Sequence, residues 1–148
     1  MSDGAARRTT RPAIVGAAVV TRTAAPAAVL AATAAAVGVV AVVDPNEPGH
    51  YPACPFLSLT GWYCPGCGSL RAVHALAHAD VGEAVARNPL AVACLPLLLA
   101  VFVLWTRRRL SGRPRTWAAP AAWINALLAL VIVFWVLRNV APFAWLAP

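Results

Sequence analysis

Two cysteines separated by two residues, Cys64 and Cys67, are the first feature of this sequence that could do chemistry. The spacing lets both sulfurs face one point, and the glycines on either side of Cys67 carry no side chain that would block this approach. A third cysteine, Cys54, lies close enough in the chain that the intervening loop closes at little entropic cost. Zinc binds thiolates and imidazoles tetrahedrally. One hypothesis is therefore a zinc site formed by Cys54, Cys64 and Cys67, with His74 as the fourth ligand.

Two other interpretations of the same cysteines stay open at this point. Cys64 and Cys67 could act as a redox pair, because a Cys-x2-Cys motif at a helix start can have a lowered thiol pKa. No thioredoxin-like β-α-β pattern surrounds the motif, which speaks against that class. The third interpretation is structural: a static disulfide, or free thiols, in a tightly turned loop. Zinc is a cofactor only under the first hypothesis.

Arg71 follows the cysteine motif and is predicted to lie on the same helix face as His74. It is a candidate contact for an anionic group or for a protein partner. The alternative is an arginine whose charged end simply reaches solvent or the lipid headgroups.

Long apolar stretches must position these residues. Hydrophobic residues make up 61% of the 148 residues and charged residues only 11%, whereas a soluble domain carries about 25% charged residues. Uncharged runs at 24–43, 89–106 and 117–137 are each close to the roughly 20 residues that cross a bilayer as a helix. The sequence thus predicts an all-α integral membrane protein with three transmembrane helices. A retained first helix is favoured over a cleaved signal peptide, because the run is longer than a signal core.

The arginines predict the orientation of these spans, since basic loops stay in the cytoplasm. Residues 1–23 form a basic tail and residues 107–116 a basic loop, and three spans place both on one side, the cytoplasmic one. The cysteine-rich segment 44–88 and the C-terminus 138–148 are then extracytoplasmic. Nine arginines lie on the cytoplasmic side and three outside: Arg7, Arg8, Arg11, Arg22, Arg107, Arg108, Arg109, Arg113 and Arg115 against Arg71, Arg87 and Arg138.

One or two short helices are expected in the outer segment. The spacing of Leu70, Val73 and Ala77 predicts a helix after residue 68, with Ser69 as its N-cap. Asp80 followed by Glu83 resembles a capping box and predicts the start of a second helix. That helix ends near residue 88, where the chain turns into the second span.

The stretch from Cys54 to Val92 resembles a family of uncharacterised bacterial membrane proteins, the domain of unknown function 2752. The family pattern is Cys-Pro, Thr-Gly, then Cys-Pro-x-Cys-Gly-x-Thr-Arg-Ala, a short helix, and Asn-Pro before a membrane span. Leu70 stands where the family has threonine. The resemblance implies a small multi-span protein of the bacterial plasma membrane, and it implies no established activity. The matching residues are Cys54, Pro55, Thr60, Gly61, Cys64, Pro65, Cys67, Gly68, Arg71, Ala72, Asn88 and Pro89.

Three classes of function are compatible with these observations. The favoured one is a non-enzymatic accessory or scaffold protein whose outer loop supports assembly or partner contact. The alternative is a metal- or thiol-dependent membrane enzyme or redox relay that uses Cys64 and Cys67. A transporter component is disfavoured, because no acidic residue lies in any span. The expected partners are the lipid bilayer and a second copy or another membrane protein, and not nucleic acid, because no basic helix face carries interleaved aromatic residues.

Overall fold

The computed structural model describes residues 10–112, 114 and 118–148, with side chains from Arg22 onward except that of Ala144. This part of the chain is helical and contains no strand, which confirms the predicted all-α class for the described residues. A short 3₁₀ segment, Ala141–Leu146, follows the last helix. The helices are α1 Thr10–Val42, α2 Pro55–Thr60, α3 Ser69–Ala77, α4 Val81–Arg87, α5 Pro89–Ser111 and α6 Ala121–Leu137.

Two of the described helices are long and apolar enough to cross a membrane, judged by length and composition: Arg22–Val42 within α1, and α5. In their most apolar stretches only 11% of the α1 residues and 0% of the α5 residues are buried within the protein. A core helix of a water-soluble protein would bury one apolar face, so these exposed helices indicate a membrane protein. α6 is also apolar, and its 17 residues meet only the lower limit for a span.

The helix ends differ from the predicted span boundaries. α1 begins at Thr10, so much of the predicted tail is helical; its Pro12 lies in the first turn, where the missing N–H costs nothing. α5 continues past residue 106 and carries Arg108 and Arg109 in its last turn, where the helix dipole favours cations. α6 begins after Pro120 rather than at residue 117. The predicted cytoplasmic side chains of Arg7, Arg8, Arg11, Arg113 and Arg115 lie outside the described residues.

The ends of the three long helices meet at the cysteine-rich segment. His74 of α3 hydrogen-bonds through Nδ1 to the carbonyl oxygen of Val40, near the end of α1, at 2.8 Å. α5 begins directly after Asn88, and α6 ends directly before Arg138, and both of these residues contact the cysteine loop. At the start of the apolar part of α1, the Arg22 guanidinium adjoins Gly112, where α5 has ended. The end of α1, the start of α5 and the end of α6, which the sequence predicts to lie on the outer side, are therefore together in the structure.

Small residues form the core of the outer segment. Ala72 and Ala75 of α3 pack with Ala84 of α4, and Leu76 and Val92 cover this cluster. The predicted start of α4 at Asp80 is confirmed, because Asp80 Oδ1 accepts a hydrogen bond of 2.8 Å from the backbone N–H of Glu83. The other half of a capping box is not formed, because the Asp80 N–H donates to the Ala75 carbonyl oxygen and the Glu83 carboxylate pairs with Arg87. Alanine side chains allow close helix contact, so the three short helices can stack on the ends of the long ones.

Three details of the sequence prediction are wrong here. Residues 44–88, all of them described, contain three short helices rather than one or two, since α2 precedes the cysteine motif. Gly68 rather than Ser69 is the N-cap of α3. The packed face of α3 carries the alanines at 72 and 75, while Leu70 is 45% exposed, because a close contact with α4 has room only for small side chains.

Candidate metal centre

The sulfurs of Cys54, Cys64 and Cys67 converge on one point. Cys54 Sγ lies 3.6 Å from Cys64 Sγ, which lies 3.3 Å from Cys67 Sγ, and all three atoms are within 4.8 Å of one another. None of these cysteines is in a disulfide. In tetrahedral zinc coordination, Zn–S distances of about 2.3 Å place two sulfurs roughly 3.8 Å apart. The three sulfurs are thus arranged as the ligands of one thiophilic metal ion would be.

Local turns bring the three sulfurs together. Between Cys64 and Cys67 the chain makes a tight turn, in which the Cys67 N–H donates to the Cys64 carbonyl oxygen at 3.1 Å and the Cys64 N–H donates to Cys67 Sγ at 3.3 Å. Cys54 is the N-cap of α2, whose first residue is a proline. α2 ends at Gly61, which adopts a left-handed conformation with φ 74° and redirects the chain toward Cys64. Cys54 therefore reaches the pair although it lies on a separate turn.

The buried side chain of Arg138 holds the Cys64–Cys67 turn from the other side. Its Nη1 donates to the carbonyl oxygens of Cys64 and Pro65, at 3.0 and 3.2 Å, and its Nη2 donates to that of Cys67 at 3.1 Å. Arg138 is only 1% exposed, and its guanidinium lies 5.0 Å from the ring centroid of Phe134. Among the described residues no carboxylate lies within salt-bridge distance of it, and Nε has no partner. A full positive charge is thus buried beside the sulfurs without an ordinary counterion.

Two asparagines complete the hydrogen bonding of this loop. Asn88, which is 0% exposed, donates from Nδ2 to the Pro65 and Cys67 carbonyl oxygens at 3.0 and 3.2 Å and to Ser69 Oγ at 3.1 Å. Its Oδ1 accepts from the N–H of Ala91 and so caps α5. Asn139 accepts from the Tyr63 N–H at 2.8 Å and donates back to the Tyr63 carbonyl oxygen at 2.9 Å. Asn88 therefore holds the loop to the start of α5, and Asn139 holds it to the end of α6.

The surroundings change the pKa of two of the thiols, Cys54 and Cys67. The backbone N–H of Leu57 is the main cause of a lowered Cys54 pKa, although its geometry falls short of a regular capping hydrogen bond. Burial, with hydrogen bonds to the other two sulfurs, raises the pKa of Cys67 to about 12. Burial also lowers the pKa of Arg138, and negative charge on Cys67 and Cys64 acts in the opposite direction. In the metal-free protein Cys67 is hence a neutral thiol at pH 7, and a metal must displace its proton.

The other predicted site residues lie apart from the sulfurs or at their margin. The ring of His74, predicted as the fourth ligand, is turned to the end of α1: Nδ1 bonds the Val40 carbonyl oxygen, and Nε2 lies 3.8 Å from Asp44. α3 starts immediately after the motif and, being rigid, carries this side chain away from the sulfurs. Cys94 lies within α5 and is not part of the group. Arg71 lines a cavity that Cys54 and Cys67 also line.

Arg138 and the two asparagines are the site residues that the sequence analysis missed. Arg138 was counted as an outer loop charge, but it is buried, and it contacts residues more than 70 positions earlier in the chain. Nothing in its local sequence indicates that contact. Asn88 carried a usable signal, because an Asn-Pro pair at the start of a span predicts an N-cap. That signal accounts for its oxygen and says nothing of its amide nitrogen.

Gly68 is required by its surroundings rather than by the sulfurs. Its φ is 83°, and a Cβ there would lie 2.5 Å from the carbonyl oxygen of Arg87 and 2.7 Å from Pro148 Cβ. By contrast, a Cβ at Gly66 would be in ordinary contact with Cys64 Sγ at 3.8 Å. Access to the sulfurs therefore does not account for the glycine at residue 68. Gly68 lets α3 start directly against the end of α4.

Replacing Gly68 with alanine is expected to destabilise the outer segment much more than the same change at Gly61. Both glycines have a positive φ, which costs alanine about 1–2 kcal/mol. Only at residue 68 does the new Cβ also meet backbone, and this clash adds about 1–3 kcal/mol. Thermal unfolding of Gly68→Ala and Gly61→Ala in the same detergent measures the difference. Equal losses of stability would contradict the close approach of Arg87.

A cavity of about 530 Å³ opens next to the sulfurs. Its walls come from the loop after α1, from the segment before α2 and from the first turn of α3. Cys54 and Cys67 lie on one side of it, Arg71 lies in the α3 wall, and Tyr51 and Glu47 come from the preceding loop. Two of the three cysteines thus border this space.

Residues 54–102 match the family described as Protein of unknown function (DUF2752), which confirms the resemblance that the cysteine motif indicated. The matched segment begins at the first cysteine of the cluster and continues into α5, so it includes Arg71 and Asn88 and ends before Arg138. No curated protein and no solved structure matches the chain.

Proposed function

We propose that Cys54, Cys64 and Cys67 hold one Zn²⁺ at the outer face of a three-span plasma-membrane protein, and that the metal fastens the outer segment of a non-enzymatic accessory or scaffold protein. The observation that carries this proposal is the buried Arg138, which has no carboxylate partner among the described residues and donates to the backbone of the loop that presents two of the sulfurs.

The charge of Arg138 favours a metal–thiolate centre over neutral thiols. A buried charge without a counterion costs several kcal/mol. Three neutral thiols, or one disulfide and one thiol, give the guanidinium nothing to balance it. Three thiolates with one divalent ion carry a single net negative charge, which matches the single positive charge of Arg138. The backbone carbonyls that Arg138 holds also fix the two sulfurs of the turn.

The arrangement of the sulfurs also favours metal over redox chemistry. A disulfide joins two sulfurs at about 2.05 Å and has no need of a third, whereas Cys54 completes a three-sulfur group. Thiolate ligation is a typical environment for Zn²⁺, which also lowers the pKa of the sulfurs it binds.

The distribution of charge supports the orientation with the N-terminus in the cytoplasm. Arg22 lies beside Gly112, next to the basic end of α5, while the ends of α1 and α6 and the start of α5 lie at the cysteine segment. Because Arg138 is buried, Arg71 and Arg87 are the two outer arginines that solvent can reach. The positive-inside rule then places the metal centre outside.

A structural role follows from what the centre connects. The cysteines join the start of α2 to the turn before α3, and Arg138, Asn88 and Asn139 join that turn to α5 and α6. Zinc binding would therefore order the outer segment as one unit. The exposed apolar faces of α1, α5 and α6 are proposed to contact lipid, a second copy or another membrane protein.

Protein purified in detergent from zinc-containing medium is expected to carry one Zn²⁺ per chain. Each of Cys54→Ser, Cys64→Ser and Cys67→Ser should lower zinc affinity by at least about 100-fold, because a ligand lost costs more than the 10–100-fold typical of its supporting residues. The matched control is Cys94→Ser, which leaves the three-sulfur group intact. Native mass spectrometry and elemental analysis give the stoichiometry. Metal-free protein lighter by two hydrogens would instead establish a disulfide, and zinc retained by the Cys64 and Cys67 variants would refute the site.

A further inference from the structure

The cysteine cluster offers three protein ligands and no fourth. Among the described histidine, cysteine, aspartate and glutamate side chains, only Cys54, Cys64 and Cys67 form a group that could hold a metal. His74 is bonded to the end of α1 instead. Most structural zinc sites are closed by four protein ligands, whereas a site with three leaves one position for an exogenous ligand. The three sulfurs can therefore join the outer segment through the metal and still leave one position open.

The open side of the cluster faces the cavity. Cys54 and Cys67 line it, and a metal bound between the sulfurs would therefore have a free position on that side. At about 530 Å³ the cavity has room for a small molecule. Glycines at 66 and 68 lie on the same wall, so backbone rather than bulky side chains borders the sulfurs there.

Arg71 is the cationic side chain of this cavity. The other two outer arginines are engaged: Arg87 pairs with Glu83 at 2.7 Å, and Arg138 holds the cysteine turn. Arg71 has no hydrogen bond or ion pair with a described residue, and it is half-buried. Glu47, the acidic side chain on the opposite wall, lies 3.5 Å from His50 and is mostly exposed. A cation without a partner therefore borders the space next to the sulfurs.

We propose that the zinc centre binds a small anionic ligand in this cavity, with one donor atom of the ligand on the metal and its second, negatively charged group paired with Arg71. The inference rests on the proposed zinc site and adds to it an exchangeable ligand of stated chemistry. A thiolate or carboxylate suits the metal, and a carboxylate or phosphate suits the planar guanidinium. A thiol ligand would bind as the thiolate and release its proton to the buffer.

Mercaptoacetate and 2-mercaptoethanol form a matched pair of probes. Both can place a thiolate on the metal, and only mercaptoacetate carries a carboxylate for Arg71. The full chain in detergent is loaded anaerobically with Co²⁺, whose visible absorption reports the fourth ligand. Each probe is then titrated into the wild type, Arg71→Gln and the control Arg87→Gln. Arg87 carries the same charge on the same outer segment, and its side chain does not line the cavity.

Both probes are expected to change the cobalt spectrum of the wild type. Arg71→Gln should weaken mercaptoacetate binding by about 5- to 10-fold, which is the range of a partly exposed ion pair, and leave 2-mercaptoethanol binding unchanged. Arg87→Gln should leave both unchanged. A tetrahedral cobalt spectrum that neither probe alters would mean a centre closed by the protein, which overturns this inference and leaves the metal site standing. Equal weakening of both probes would overturn the pairing with Arg71, and failure to bind one Co²⁺ would overturn both proposals.

Discussion

Arg138→Gln is expected to lower the free energy of unfolding by about 3–5 kcal/mol and to weaken zinc binding by at least about 100-fold. The change removes three hydrogen bonds and leaves buried carbonyl oxygens of the cysteine turn without their charged donor, and each such loss costs about 1–3 kcal/mol. It also removes the positive charge that donates directly to this turn. Denaturation in detergent and zinc competition with a chelator measure the two effects.

Arg138→Lys distinguishes the charge of this residue from its geometry. Lysine keeps the cation but cannot span three carbonyl oxygens with a planar fork. Both variants should therefore lose stability. The pH at which zinc is released separates them, because a nearby cation stabilises the thiolates against protons. Release should move to higher pH in Arg138→Gln and stay near the wild-type pH in Arg138→Lys. Arg87→Gln controls for the loss of one outer arginine, and a wild-type release profile in Arg138→Gln would refute the role of counterion.

Asn88→Asp is expected to destabilise the protein by about 4 kcal/mol or more, although aspartate is as good an N-cap as asparagine. The new oxygen would face the Pro65 and Cys67 carbonyl oxygens and Ser69 Oγ, where the amide nitrogen donates three hydrogen bonds. The position is fully buried, so the carboxylate would be desolvated beside the proposed metal site or be forced to take up a proton.

Asp80→Asn is the matched control for this substitution. Asp80 also caps a helix with one side-chain oxygen, but Asp80 is exposed and does not contact the cysteine turn. Its exchange should change stability by about 0.5 kcal/mol or less. Chemical denaturation and zinc retention of the two variants are compared under the same conditions. If Asn88→Asp behaved like Asp80→Asn, the amide nitrogen of Asn88 would have no structural role.

Features that depend on near neighbours in the chain were predicted well. Apolar runs of span length indicate helices, because a chain without charges must satisfy its own backbone in lipid. The start of α4 depends on a hydrogen bond between Asp80 and the backbone N–H three residues later, and it was predicted correctly. The approach of Cys64 to Cys67 follows from a two-residue spacing, and a short loop brings Cys54 to them.

The orientation of His74 shows where local reasoning stops. Helical spacing placed His74 on the same face of α3 as Arg71. Which neighbour that face points toward depends on how α3 packs. The alanines at 72 and 75 set this direction, because they pack against α4 and leave His74 facing the end of α1. A helix is rigid over its length, so one packed face determines where all the others point.

By itself, the sequence determined that this protein is helical, that it carries apolar segments of span length, and that three cysteines lie within reach of one another. Each of these depends on residue type and on separations of about ten positions or fewer along a chain or helix. The tertiary structure alone decided which side chains surround the sulfurs. Arg138 and Asn139 reach the cysteine turn from more than 70 positions away, and Asn88 from more than 20. Such contacts arise only when the start of α5 and the end of α6 are brought together at the cysteine turn. Nothing in the local sequence around these residues distinguishes a buried partner of the turn from an ordinary residue at a helix end.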